Sequence, residues 1–290
     1  MEYSGSLVPI SPARLDGYGP YPASRRGIVL FEVGNDFEDH GPALAPDVDT
    51  IFVQYFAVHL AARTGVRYQG HIPFTTDKVD IAPAWCPAYL PPNEFYARTA
   101  AFLEQQLAHH TDAPRAVLII AGHGGDVLEA QRDDLSQRLG APVTITGNKL
   151  HEGLARLTAL DIYTSPIAPI AREMQVLGYF DHAACLDYSV AAAMGVLDHE
   201  KLRRLADAAV RDPRGTLRQW PAIAGLGGYI AYGGARFAPL REIAALEYCL
   251  ALYKRNPRGS QSADATLGSR IIAGALEALV AVVESLDPGG

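Results

Sequence analysis

Two short apolar runs, each followed at once by a cluster of polar residues, place the strongest constraint on how this chain folds. The first covers Arg26 to Val33 and the second covers Ala116 to Ala121. Both are short and are bounded by turn-forming residues, which is typical of buried strands rather than helices. The first leads into "NDFEDHGPALAPDVD" and the second into "GHGGD". The sequence therefore predicts two strands that each deliver polar side chains from the carboxyl end.

The segments between these runs alternate in the same way along the first half of the chain. Further strands are predicted at Val66 to Pro73 and in "APVTIT", and helices are predicted from Asp49 to a stop at Gly65, at Pro92 to His110 and at Val127 to Leu139. A last helix is predicted near Ala263 to Leu286. Alternating strands and helices indicate an α/β fold with a mostly parallel central sheet covered on both faces. We expect one domain at 26–290, preceded by an N-terminal extension at 1–25.

Composition narrows the classes of partner that this chain is expected to bind. The 290 residues carry a formal charge of −7, and the basic residues are scattered, which argues against a nucleic-acid partner. Neither a signal-like N-terminus nor an apolar run of membrane-spanning length stands out, so we expect a cytoplasmic protein without a membrane partner. The three cysteines form no C-x-x-C pair, which disfavours a disulfide framework.

The two polar clusters hold residues that bind divalent metals. Glu38 and His40 are two positions apart, Asp49 follows nine residues later, and His123 lies at the end of the other strand. Carboxylate and imidazole groups together suit Zn²⁺, Mn²⁺ or Fe²⁺. In a parallel sheet both clusters would reach the same crevice at the carboxyl edge. A solvated acidic loop and a tight glycine turn are the alternative interpretation.

The motifs also resemble those of a known family. "EDHGPALAPDVD" followed by "GHGGD" is similar to the paired motifs of the creatininase family of metal-dependent amidohydrolases. "DHAACLDYS" and "SADATLGSRIIAGALEALV" are similar to two later motifs of that family and come in the same order. The resemblance runs from about Arg26 to Val283. The motifs are most similar to those of the formyl-pyrimidine deformylase and dehydro-inosose hydrolase branches. The resemblance implies a creatininase-like three-layer α/β/α sandwich.

The resemblance implies roles for individual residues. Matched positions make Glu38, His40, Asp49 and His123 ligands of a two-metal centre, with Asp49 bridging the ions. His182 matches the family's catalytic histidine. The family also forms trimer-based hexamers, so the resemblance implies a homo-oligomer.

One position departs from the family pattern. Gly125 stands where creatininase has a ligand glutamate, so another residue must supply the last ligand of the second metal. Asp187 is the first candidate, and it also has a predicted catalytic role beside His182. Asp126 is the second candidate. Cys185 is interpreted as a packing residue, with a thiolate ligand as the alternative.

These features predict a metal-dependent hydrolase. A divalent ion lowers the pKa of water from about 15.7 toward about 7, which provides a hydroxide nucleophile for attack on a carbonyl. We expect a small polar substrate and cleavage of a C–N bond in a cyclic amide or a formamide. Hydrolytic C–C ring opening of an inositol-derived diketone, as in a 3-dehydro-scyllo-inosose hydrolase, is the alternative reaction. A non-catalytic binding or assembly protein with a degenerate metal site is the alternative of another class.

Overall fold

The structure is a computed structural model, and it describes residues 27–76, 86, 88–109, 112–147, 149, 183, 185–220, 223 and 261–287. The chain divides into two compact units. The sheet unit contains all the described strands and the helices between them, and it includes the last part of the final helix. The helical unit contains the remaining described helices.

A four-stranded parallel sheet forms the centre of the sheet unit. Its strands are β1 (Ile28–Val33), β2 (Arg67–His71), β3 (Ala116–Ala121) and β4 (Val143–Gly147), in the spatial order β2-β1-β3-β4. β1 and β3 pair without a register shift along their whole length, from Ile28 beside Ala116 to Val33 beside Ala121. Because the two strands are parallel and in register, their carboxyl ends lie side by side.

Four helices connect these strands. They are α1 (Val48–Thr64), α2 (Pro92–Ala108), α3 (Gly125–Ala130) and α4 (Arg132–Leu139). α1 ends at Gly65, which adopts the left-handed conformation with φ of 71°, as the sequence predicts. The single helix expected at Val127 to Leu139 is instead two, because the backbone at Gln131 leaves helical geometry with φ of −115° and ψ of 14°.

Both faces of the two central strands are covered. All residues of β1 and β3 are buried. The odd-numbered residues of β1 pack with α2, α3 and α4 through Phe95, Leu103, Leu128 and Leu135. Side chains alternate along a strand, so the even-numbered residues point to the opposite face. The predicted α/β sandwich with a parallel sheet is confirmed.

The helical unit contains α5 (Cys185–Met194), α6 (His199–Arg211), α7 (Pro213–Gln219) and the first part of α8 (Ala265–Leu286). Asp198 begins α6 by accepting a hydrogen bond from the backbone N–H of Lys201. α8 packs very closely on α5, because a Cβ atom placed on Gly268 would lie only 2.0 Å from the carbonyl oxygen of Ser189. Glycine is therefore required where these two helices meet.

α8 is the one described helix that is long and apolar enough to cross a membrane. Its most apolar stretch has a mean hydropathy of 1.7, and half of that stretch is buried inside the protein. Ile271, Ala275 and Leu279 are fully buried. Buried core helices also have such a composition, so this is weak support for a membrane span. The single-domain prediction for 26–290 stays a prediction, and 1–26 lie outside the described residues.

Candidate metal centre

Glu38 reaches its position through a tight turn after β1. Gly34 follows the strand and lies against the first turn of α1, where a Cβ atom would come within 2.4 Å of the Cα atom of Thr50. This close approach brings the start of α1 against the end of β1. The backbone N–H of Glu38 also donates to the carbonyl of Pro46 at 3.2 Å, which closes the base of the intervening loop. Asp49 in the first turn of α1 is thereby brought next to Glu38.

His123 is delivered from β3 by the glycine-rich turn. The backbone N–H of Gly122 donates to the carbonyl of Val33 at 2.7 Å, which joins the ends of the two central strands. Gly124 has φ of 65°, and a Cβ atom there would lie 2.8 Å from the ring of Phe95. Only glycine combines that backbone conformation with so little space. The turn directs His123 toward the residues that follow β1.

The imidazole of His123 bridges the two carboxylates. Its Nε2 atom lies 2.7 Å from Oε2 of Glu38 and 2.7 Å from Oδ2 of Asp49. Glu38 is fully buried, and the side chain of His123 is only 12% exposed. His40, two residues after Glu38, is also buried. One ligand atom from each of Glu38, His40 and Asp49 lies within 4.8 Å of the others.

The two carboxylates of this cluster strongly favour the protonated form of His123. Burial by itself would lower the pKa of His123, but the carboxylates of Glu38 and Asp49 outweigh it and raise the pKa well above its usual value. The buried carboxylate of Glu38 and the partly buried carboxylate of Asp49 favour a compensating positive charge between them. A protonated imidazole supplies that charge, and a divalent cation bound to the deprotonated imidazole would supply it instead.

The donor set fits a divalent transition metal. One ligand atom from each of Glu38, His40 and Asp49 lies close to the others, and Nε2 of His123 contacts both carboxylates. Mixed oxygen and nitrogen ligands of this kind suit Zn²⁺, Mn²⁺ and Fe²⁺. Among the described residues, Glu38, His40 and Asp49 are the group of three such ligands that lie close enough together to hold an ion.

Asn35 and Cys86 hold Glu38 in place, and neither was identified from the sequence. The side-chain amide of Asn35 donates to Oε2 of Glu38 at 3.1 Å, and the thiol of Cys86 donates to Oδ1 of Asn35 at 3.3 Å. The backbone N–H of Phe37 also donates to Oδ1 of Asn35 at 3.0 Å. Asn35 and Cys86 are each 1% exposed. The orientation of the Glu38 carboxylate is therefore supported by a buried amide that is itself held by its neighbours.

The other predicted site residues have different surroundings. His182 lies outside the described residues. Asp187 lies in the first turn of α5, and its Oδ2 accepts a hydrogen bond from the backbone N–H of Ala183 at 2.7 Å. Cys185 is a buried free thiol, as is Cys86. Asp126 lies in the first turn of α3 and lines a cavity of about 630 Å³ with Thr144, Thr146 and Glu129. Their predicted metal-binding and catalytic roles stay predictions.

A second buried charge cluster lies at the neighbouring strand end. Glu32 is fully buried in β1, beside His71 of β2. Nδ1 of His71 lies 2.6 Å from Oε2 of Glu32, and the hydroxyl of Tyr68 donates to Oε1 of Glu32 at 2.8 Å. Burial lowers the pKa of His71, but hydrogen bonds and charges from Asp36 and Glu32 outweigh it and raise the pKa to about 9. The imidazole is therefore charged at neutral pH.

This pair gives the protein a defined dependence of stability on pH. A histidine whose pKa is raised to about 9 on folding stabilises the protein fully below about pH 6.5, and the stabilisation is lost as pH rises through 9. We expect the free energy of unfolding to fall by on the order of 2–3 kcal/mol between pH 6.5 and 9.5. Urea titrations across this range should show a flatter profile for His71→Gln. Parallel profiles for the two proteins would contradict this assignment.

Sequence comparison gives one relative with a curated function. No family model matches the chain. The 2-amino-5-formylamino-6-ribosylaminopyrimidin-4(3H)-one 5'-monophosphate deformylase of Methanothermobacter thermautotrophicus is 30% identical over 116 residues. The match covers 40% of this chain and 48% of the relative, so it spans about half of that protein's length.

Structure comparison extends over nearly the whole chain. A creatinine amidohydrolase (creatininase) superposes with a TM-score of 0.55 at 15% identity, covering 95% of this chain and 96% of the other. This chain has the creatininase fold. A creatininase mutant of Zn–Zn type gives a TM-score of 0.53 at 14% identity, over 98% and 100% of the chains. A Mn form gives 0.51 at 14% identity, over 94% and 96%.

The two comparisons support the motif resemblance. The creatininase fold confirms the predicted architecture, and the deformylase belongs to one of the two branches whose motifs this chain resembles most. At 14–15% identity the solved structures establish the fold alone.

Proposed function

We propose that this chain is a metal-dependent hydrolase that cleaves a C–N bond of a small polar substrate, either a cyclic amide or a formamide. The observation that carries the proposal is the position of His123, whose Nε2 atom faces the carboxylates of Glu38 and Asp49 at 2.7 Å each. This cluster lies at the carboxyl edge of a parallel sheet, where ligands bind in open α/β folds.

Each residue of the cluster has a defined part in the proposal. The metal would be held by Glu38, His40, Asp49 and His123. Asp49 would be shared between the first ion and a second one. A divalent ion held there supplies water of lowered pKa and a positive charge beside the substrate carbonyl. The negative charge of the Glu38 and Asp49 carboxylates would balance the cation. Asn35 keeps the Glu38 carboxylate in one orientation, so the ligand geometry is set before metal binds.

The roles of His182 and Asp187 are proposed from the sequence motifs. His182 would carry a proton to the leaving nitrogen, as a general acid must when an amide is cleaved. Asp187 accepts a hydrogen bond from Ala183, the residue after His182, and so supports that turn. Asp187 is also the proposed last ligand of the second ion. We further propose a cytoplasmic homo-oligomer with two Zn²⁺, Mn²⁺ or Fe²⁺ ions per chain.

The relatives support a hydrolase reaction at this site. The deformylase is named for removing a formyl group, and the creatininases are amidohydrolases that occur in Zn–Zn and Mn forms. Both reactions break a carbonyl C–N bond. The described turn after β1 is acidic rather than glycine-rich, which disfavours a dinucleotide-binding fold, in which that turn holds phosphate.

Metal removal and restoration test this proposal directly. The purified chain is treated with a chelator, divided, and supplied with Zn²⁺, Mn²⁺ or no metal before incubation with a panel of formamides and cyclic amides. We expect activity to vanish on chelation and to return with at least one metal. Activity that persists in the metal-free protein, or a chain that takes up neither ion, would refute the proposed function.

A further inference from the structure

Glu32 and Glu38 are the two fully buried carboxylates in the described part of the sheet unit. Glu32 lies inside a central strand, where a carboxylate loses its hydration. Tyr68 and the charged imidazole of His71 occupy both of its oxygens, at 2.8 and 2.6 Å. A buried ion pair contributes little net stability compared with apolar residues of the same size. The proposed metal centre uses neither Glu32 nor His71, so their arrangement calls for another explanation.

The imidazole of His71 in this buried pair also faces a partly exposed group, the carboxylate of Asp36. Nε2 of His71 faces Oδ2 of Asp36 at 3.6 Å. The side chain of Asp36 is 39% exposed. Its carboxylate thus faces the imidazole of His71 while part of it faces solvent.

Asp36 lines a cavity of about 210 Å³ beside β2. Aromatic rings of Phe37 and Phe74 form part of its wall, and Phe37 is 58% exposed, which is rare for a large apolar side chain in the described residues. The guanidinium of Arg98 lies over the ring of Phe74, 6.0 Å from its centre. This wall therefore already accommodates a planar cation.

The charges around the cavity favour a ligand that donates hydrogen bonds. Arg98 is paired with Glu94 at 2.5 Å, and His71 is paired with Glu32. Among the described residues that line the cavity, Asp36 is the one carboxylate, and 39% of its side chain is exposed. Both cations of the lining already have carboxylate partners, so a hydrogen-bond donor is favoured over a small anion. A flat group with N–H donors would pair with Asp36 and pack against the aromatic wall.

We propose that this cavity is a binding subsite for a small planar cation or N–H-rich group, with Asp36 as its acceptor. Tyr68, Glu32 and His71 form a positioning network that fixes Asp36. The proposal does not rest on the hydrolase function, because neither Asp36 nor the network is assigned to the metal.

Benzamidine and benzoate test the proposal, since they have the same flat shape and opposite charge. The chain is titrated with each compound by NMR, and the wild type is compared with Asp36→Asn and with Asp133→Asn, a matched control whose carboxylate is 94% exposed on α4. We expect the wild type to bind benzamidine and to bind benzoate at least about tenfold more weakly. Asp36→Asn should weaken benzamidine binding by about tenfold or more, and Asp133→Asn should leave it unchanged.

Two further variants separate this subsite from the metal centre. His123→Ala should retain benzamidine binding even though it removes a proposed metal ligand, so failure of the hydrolase proposal would leave this result intact. His71→Gln should weaken binding if the network positions Asp36, and its melting curve shows whether it folds. Equal benzamidine affinity in the wild type and Asp36→Asn, or tighter binding of benzoate, would overturn the subsite. Unchanged affinity in His71→Gln would overturn the positioning network.

Discussion

Replacing His123 with alanine is expected to remove bound metal from the cluster and to reduce hydrolysis by at least about 10³-fold. The reason is that Nε2 of His123 is the group that faces both Glu38 and Asp49 at 2.7 Å. Loss of metal forfeits several kcal/mol of transition-state stabilisation, which corresponds to a rate loss of this size. Metal content by plasma mass spectrometry and turnover of the best substrate in the panel measure the two effects.

Two companion variants sharpen the interpretation of that result. Asn35→Ala should retain metal at saturation but bind it about 10- to 100-fold more weakly, because Asn35 orients Glu38 and does not ligate the ion. His109→Ala removes an exposed imidazole at the end of α2 and should behave as the wild type. Full metal content and full activity in His123→Ala would refute the assignment of this cluster.

Gly268→Ala is expected to lower the free energy of unfolding by about 2 kcal/mol or more, because of overpacking. In an open helix the same change would stabilise by about 1 kcal/mol through helix propensity. Here the added methyl group would lie 2.0 Å from the carbonyl oxygen of Ser189 and 3.0 Å from the backbone nitrogen of Val190. Backbone atoms cannot move aside as a flexible side chain does, so α5 and α8 must separate. Whether Gly268→Ala lowers or raises the free energy of unfolding therefore tests how closely the two helices pack.

Urea unfolding and thermal melting measure this effect. Ser269→Ala is the matched control on the next position of α8, and we expect it to change stability by no more than about 0.5 kcal/mol. A more stable Gly268→Ala protein would show that the two helices do not meet as closely as described.

Most of the sheet unit is predictable from local patterns. The strand Ala116–Ala121 is predicted at its observed bounds, and α1 ends at Gly65 because glycine tolerates the left-handed conformation. The break between α3 and α4 at Gln131 is not predictable in this way. The sequence there contains neither proline nor glycine, and the backbone changes direction without a local signal.

In the candidate site, too, some residues are predictable from the local sequence and others are not. Ligand-type residues follow two apolar strands, so Glu38, Asp49 and His123 are identifiable from residue type and position. Asn35 and Cys86 are not, because an amide and a lone cysteine carry no pattern until the fold brings them together across 51 positions. Glu32 is also missed, since a single acidic residue in an apolar strand gives no indication of a buried partner.

The sequence by itself determined the element types and the chemistry of the ligands, because both depend on neighbouring residues. Apolar runs form strands, and glycine and proline limit them. Tertiary structure decided which polar groups meet. The parallel, in-register pairing of β1 and β3 places Glu38 and Asp49 against His123, and the pairing of β1 with β2 places Glu32 against His71. These contacts depend on strand order and register, which are fixed by packing of the whole sheet and not by any local segment.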